Sequence, residues 1–292
     1  LGKVSKALNK KGLTKLLLEI EVMLENYNIE LLDVSLKESL PYISFSRMKL
    51  YNLCPRAFQQ KYKEERKANP TPDIIFGKCL HSALEFYNKS LIDNNAVSFT
   101  EVVDNFELHL KEYDERLYPR EKIQFPQEAQ SVLCAYFKWL KDKKIKPIET
   151  EYEFLLRIQS LKDLNEDLII NGCIDLIDER GLFDYKSNFI PPKGYEGDIS
   201  LQLSLYSLVF YIKYKRWPEY SQNIHLVRKN NTVELTPKTK NARRTLGQVE
   251  VMIENLKDFA ELSKKRFLPT PNFSCTSCSY KEDCPASPLH KD

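Results

Sequence analysis

Glycine is scarce in this chain, with eight among 292 residues, which leaves little material for a flexible linker between independently folded domains. No stretch approaches the ~18 consecutive apolar residues that cross a bilayer, and no membrane association is expected. The opening LGKVSKALNKKGL lacks the apolar run of a secretory signal, so secretion is not expected either. The chain begins at Leu1 rather than Met, as a processed, trimmed or excised polypeptide would. Charge of one sign is also missing: 44 basic residues against 41 acidic ones leave a net +3, and such a balance announces no polyanionic partner by itself. There is no internal repeat and no low-complexity tract.

What is present fits an ordinary globular chain, 42% hydrophobic and 29% charged. Leu13, Leu16, Leu17, Ile20 and Leu24 recur at helical spacing, predicting a lead-in helix within residues 1–40. A helical pattern over 42–62 starts at Ser44 or Ser46 and breaks at Cys54-Pro55, where proline suits a new helix start. Three more amphipathic helices are expected at 74–92, 98–117 and 126–145. After Pro147 the pattern turns β-rich: residues 148–187 predict an antiparallel meander with a turn at Glu179-Arg180-Gly181. A helix over 198–215, a hairpin turning at Lys229-Asn230-Asn231 and a helix over 241–266 complete the chain. The expected architecture is α/β: one domain over 41–292, a mixed central sheet flanked by helices, a helical insertion at about 90–146 and a cysteine-rich tail at 273–286.

Seven cysteines are an odd and unevenly spread set, unlike the framework of a small secreted domain, and they fit a reducing cytoplasm better. Cys79, Cys134 and Cys173 stand singly in apolar surroundings, as small buried hydrophobes. Cys275, Cys278 and Cys284 crowd one short stretch, SCTSCSYKEDCP, a spacing that points to metal ligation. Thiolates hold iron-sulfur clusters, and four of them also suit a structural zinc.

Side chains alternate along a strand, so Cys173, Asp175 and Ile177 share one face and Asp184 shares another with Lys186. Adjacent strands can then present two carboxylates and an ammonium together, and with the Tyr185 carbonyl they make an oxygen-rich seat for Mg2+ or Mn2+. Taken alone, Asp-x-Lys is a common solvated charge pair. His81 and Glu85 lie one helical turn apart and either can approach such an ion; Gln202 and Tyr206 are spaced likewise and offer an amide and a phenol. The alternation Glu149, Glu151, Glu153 reads as the acidic protection of an edge strand.

In order along the chain stand Tyr51-x-x-Cys54-Pro55, Gly77-x-x-x-His81, Gly172-x-x-Asp175, Asp184-Tyr185-Lys186, Gln202-x-x-x-Tyr206 and Cys275-x-x-Cys278-x-x-x-x-x-Cys284-Pro285. This set resembles the PD-(D/E)XK nucleases of the RecB type, and within them the iron-sulfur branch that includes the AddB nuclease domain and the exonucleases of CRISPR adaptation. The resemblance implies a restriction-endonuclease-like core and a deoxyribonuclease, an exonuclease acting on DNA ends or single strands in repair, recombination or CRISPR adaptation. It implies metal binding by His81, Asp175, Asp184 and the Tyr185 carbonyl, catalysis by Asp175, Asp184 and Lys186, and DNA contacts from Gln202 and Tyr206. It also implies a 4Fe-4S cluster on Cys54, Cys275, Cys278 and Cys284, clasping the two ends of the chain. Asp184 is shorter than the glutamate found in many relatives, which leaves one metal or two open.

Arg56, Lys61, Lys63, Lys213, Lys215, Arg216, Arg243 and Arg244 are candidate phosphate contacts, and Phe58, Tyr62 and Tyr185 could stack on bases. No G-x-x-x-x-G-K-[ST] loop is present, so an unwinding partner such as a helicase would supply its own ATP site. The alternatives are an inactive nuclease-fold module that only binds DNA, and a zinc-ribbon interaction domain.

Overall fold

The computed structural model describes residues 27–160, 167–188, 200–229, 232–237 and 246–287. The apolar run Leu13 to Leu24 of the expected lead-in helix and the turn residues Asn230-Asn231 lie outside them. The described residues form six strands in the order β1-β2-β3-β4-β5-β6 and seven α-helices. The sheet is mixed, as expected of this α/β chain. The chain divides into two compact units, residues 1–69, 154–172 and 245–292 in one, residues 70–153 and 173–244 in the other. Strands β2 (Pro147–Ser160) and β3 (Asp167–Asp178) contribute residues to both.

The first unit opens with β1 (Tyr27–Leu32), an antiparallel partner of β2 from Leu32↔Leu155 to Tyr27↔Ser160. Sequence periodicity gave no strand here, because YNIELL carries too little alternation to stand out. Helix α1 (Phe45–Leu53) begins where the Ser44 hydroxyl accepts the Arg47 N–H. It stops at Cys54, whose backbone is extended, and Pro55 starts α2 (Pro55–Tyr62) at the position where a missing N–H costs nothing. Tyr51 packs edge-on against Phe58 and against Phe259 of α7 (Leu246–Leu262). Its hydroxyl faces the Leu262 and Arg266 carbonyl oxygens at 3.0 and 2.9 Å, closing the end of that helix. Gly172 lies under the Phe154 ring, where a Cβ would come within 2.4 Å of it, so only glycine fits.

The second unit packs two helices, α3 (Pro72–Ile92) and α5 (Pro119–Lys143), on β4 (Gly181–Asn188) and β5 (Tyr220–Lys229), with α4 (Phe99–Lys111) laid against both helices. Phe76, Phe106 and Phe125 meet edge to face in the middle of this core. Helix α4 carries the reciprocal cap Ser98–Glu101. Helix α5 starts seven residues earlier than its apolar periodicity suggested, because Pro119 opens it and Glu121 caps the Tyr118 N–H at 2.9 Å. Strands β4 and β5 run parallel, joined through α6 (Leu201–Tyr214), and β5 pairs antiparallel with β6 (Thr232–Pro237). Arg228 of β5 is buried with its guanidinium 4.0 Å from the Phe76 ring centre, bonded to Glu128 at 2.9 Å and Asp73 at 2.5 Å.

Of the three single cysteines, Cys79 is buried and its thiol is pushed up to about 11 by burial. Cys134 is exposed, contrary to the expectation of a buried hydrophobe: it falls on the solvent side of α5 while Val132, Leu133 and Tyr136 fill the core. No helix among the described residues is long and apolar enough to cross a membrane.

Candidate metal centre

Helix α3 presents His81 one turn after Gly77, where an added Cβ would meet Ser187 of β4 at 3.7 Å. His81 Nδ1 stands 3.3 Å from Glu151 Oε1 on β2 and 3.6 Å from Asp175 Oδ1 on β3. These three side chains each offer a ligand atom within 4.8 Å of the other two. Thr150 Oγ1 donates to the Asp175 carbonyl at 3.0 Å, tying β2 to β3 beside the cluster. Asp175 Oδ2 accepts the Tyr185 N–H at 2.5 Å. A residue's N–H and C=O leave a strand on the same edge, so the Tyr185 carbonyl faces the same side as that N–H.

The charge in this pocket is unbalanced. Asp175 is 7% exposed and Asp184 3%. Burial raises the Asp175 carboxyl far above the carboxylate range; Asp184 and Glu151 add to the rise, while His81 and the Tyr185 N–H oppose it. Burial alone would depress His81, yet Asp175 and Glu151 outweigh it and lift the imidazole to about 9. The metal-free pocket therefore favours bound protons. Two carboxylates and an imidazole are donors that Mg2+ or Mn2+ accepts, and a divalent ion would replace those protons.

Next to the cluster, Lys186 Nζ pairs with Asp184 Oδ2 and lies 3.4 Å from Gln202 Oε1 on α6. Gln202 Nε2 donates to Tyr206 Oη at 2.7 Å. Lys186 keeps 37% of its side chain exposed, whereas Tyr206 is 4% exposed and supports Gln202 from below. In the parallel register Asn223 lies beside Asp184 and His225 beside Lys186.

Two side chains at the centre were not among the candidates. Glu151 belonged to an alternation read as edge protection, but its backbone has φ 45° and breaks the period. Glu149 consequently bonds Lys213 and Tyr214 of α6, while Glu151 turns to His81. Cys173, assigned no role, donates its S–H to Glu151 Oε2 at 3.3 Å, and burial with the nearby acids holds it as a thiol. Glu85 does not approach the cluster; it pairs with Lys89 at 2.5 Å.

Arg56 belongs to the other unit, where its guanidinium is taken by Gln59 and Glu64, both at 2.7 Å. Phe58 and Tyr185 are buried in the packing of their own units. Lys213 is held by Glu149 and Arg216 by the Glu179 carbonyl; Arg243 and Arg244 lie outside the described residues.

Cys54, Cys275, Cys278 and Cys284 all lie in the first unit as partly exposed free thiols. Cys275 lies in a short 3-10 turn (Phe273–Ser277) that Cys278 ends; the Asn272 N–H points at Cys275 Sγ at 3.3 Å and the Tyr280 N–H at Cys278 Sγ at 3.5 Å. Asn272 also donates to the Leu53 carbonyl at 3.0 Å, bringing that turn to the residue before Cys54.

Comparison with curated proteins returned no match. Among solved structures, the crystal structure of SSO0001 is 17% identical over 74% of this chain and 98% of its own, with a TM-score of 0.34. The sequence profile of the PD-(D/E)XK nuclease superfamily matches residues 42–285. That span holds the clustered acids, the Asp184-Tyr185-Lys186 run and the mixed sheet that displays them, and the chain belongs to the PD-(D/E)XK nuclease superfamily.

Proposed function

We propose that this protein is a deoxyribonuclease that uses Mg2+ or Mn2+ to hydrolyse phosphodiester bonds at DNA ends or in single strands. The observation that carries the reading is the three-residue cluster of His81, Glu151 and Asp175, with a part-exposed lysine beside it on β4. His81, Glu151 and Asp175, supplemented by Asp184 and the Tyr185 carbonyl, would hold the ion. A bound divalent cation would supply charge neutralisation at the phosphate and a more acidic water.

The protein's own groups do the rest. Lys186, fixed between Asp184 and Gln202, sets a positive charge where an attacking water or a phosphate oxygen would lie. Gln202, braced by buried Tyr206, directs its carbonyl at the Lys186 ammonium and restricts it to that position. Water adds to phosphorus in line and gives up a proton to solvent, the P–O bond to the leaving sugar oxygen breaks, and that oxygen takes up a proton from solvent.

The four cysteines of the first unit would carry a 4Fe-4S cluster. The N–H groups aimed at Cys275 and Cys278 are the hydrogen bonds that such thiolates accept, and the Asn272 bond to Leu53 brings the tail towards Cys54. A partner helicase and a role in repair, recombination or CRISPR adaptation accompany this reading.

The test is purified protein with end-labelled single- and double-stranded DNA and Mn2+. Shortened products are expected, and Lys186→Ala should cut the rate by about 10²–10³ while DNA binding persists. Binding without any cleavage by the unmodified protein would leave a nuclease-fold module that only holds DNA.

A further inference from the structure

Behind the metal centre three buried polar side chains close on one another. Tyr136 Oη of α5 donates to Asn88 Oδ1 at 3.0 Å, Asn88 Nδ2 donates to Tyr185 Oη at 3.2 Å, and the two phenol oxygens are 2.5 Å apart. Tyr136 has a single O–H and directs it to Asn88, so the short contact is donated by Tyr185, and the three bonds run in one sense around a closed ring. Asn88 and Tyr136 are 0% exposed and Tyr185 is 3% exposed, so no water relieves a missing partner.

The ring joins three elements at the residues that matter. Asn88 lies two helical turns beyond His81 on the same face of α3. Tyr185 contributes its N–H to Asp175 Oδ2, and its ring meets the His81 imidazole edge to face at 5.7 Å. Tyr136 belongs to none of the strands or helices that carry the cluster; it comes from α5, within the helical insertion.

We infer that Tyr136, through its hydroxyl ring with Asn88 and Tyr185, is a positioning residue that fixes His81 and Asp175 for the metal ion. This rests on the proposed metal binding. Removing one hydroxyl leaves the Asn88 carbonyl and the Tyr185 O–H without partners, and Tyr185 then loses the anchor that sets both its ring and its backbone.

The test is direct Mn2+ binding to the full-length protein without DNA, followed by electron paramagnetic resonance of the free ion, together with thermal melting. Tyr136→Phe is expected to weaken Mn2+ binding about tenfold, in the range reported for residues supporting metal ligands, and to raise the Mn2+ concentration for half-maximal cleavage in parallel. DNA KM at saturating Mn2+ should stay unchanged. Val132→Ala, on the same helix and fully buried, should lower the melting temperature without moving Mn2+ affinity. Wild-type Mn2+ affinity in Tyr136→Phe, or an equal loss of affinity in Val132→Ala, would overturn the inference and leave the nuclease reading intact. An unmodified protein that binds no Mn2+ would instead remove the reading on which the inference rests.

Discussion

The two units keep their candidate ligands in opposite ways. In the second, the donors of the metal centre come from a helix and two strands, with Asp175 buried and His81 and Glu151 partly exposed, and are held by backbone and side-chain bonds before any ion arrives. In the first, the four cysteines sit on turns and at a helix break, partly exposed, and what touches their sulfurs is a pair of weak N–H···S bonds. A site built on regular elements keeps its shape when empty; a site built on turns takes stability from what it binds. Removing the bound group should therefore damage the first unit's fold and only the second unit's chemistry.

The largest break in this symmetry should come from Cys278→Ala. Loss of one thiolate should remove the brown colour and lower stability, by up to about 5 kcal/mol if the cross-link restrains the unfolded chain as a disulfide of similar span does. Iron analysis and thermal melting check this, and an iron-free wild-type protein of equal stability would refute it. The matching change in the second unit, Glu151→Gln, should leave the melting temperature nearly unchanged. It should weaken Mn2+ binding about tenfold or more by taking away a charged ligand, measured by calorimetric titration; unaltered affinity would remove Glu151 from the centre.

The smallest effect is a pH dependence, and its sign is fixed by the shifts. His81 rises from 6.5 to about 9, and Asp175 is also raised, so the folded metal-free protein binds protons more tightly than the unfolded chain. Stability from His81 is then fully present below about 6.5 and is lost as pH climbs through about 9. In EDTA the melting temperature should fall across that window, and Mn2+ should flatten or reverse the trend because the ion takes the protons' place. A melting temperature that rises with pH in EDTA would contradict the unbalanced charge described for the pocket.

Which of these features could be read from the chain depends on how local their causes are. The break between α1 and α2 was legible because Cys54-Pro55 fixes it with one ring. The shared face of Asp184 and Lys186 followed from strand alternation alone, and their ion pair lies on it. Glu151 escaped because a single left-handed backbone angle reverses the rule that exposed the other acids. Strand β1 and the Asn88–Tyr136–Tyr185 ring escaped for a different reason: each exists only through a partner far along the chain, and no local pattern encodes the partner. The exposure of Cys134 shows the same limit, since neighbouring apolar residues do not say which way one helical position turns.

Arg228 illustrates how little freedom such a long-range arrangement leaves. Its flat cation covers the Phe76 ring and reaches Glu128 and Asp73 at once. Lysine would preserve the charge, yet a single ammonium lacks the planar fork to satisfy an aromatic face and two separate acids. At position 228 the substitution usually regarded as mildest should be among the most disruptive, loosening the first turn of α3 and the middle of α5 from the same strand.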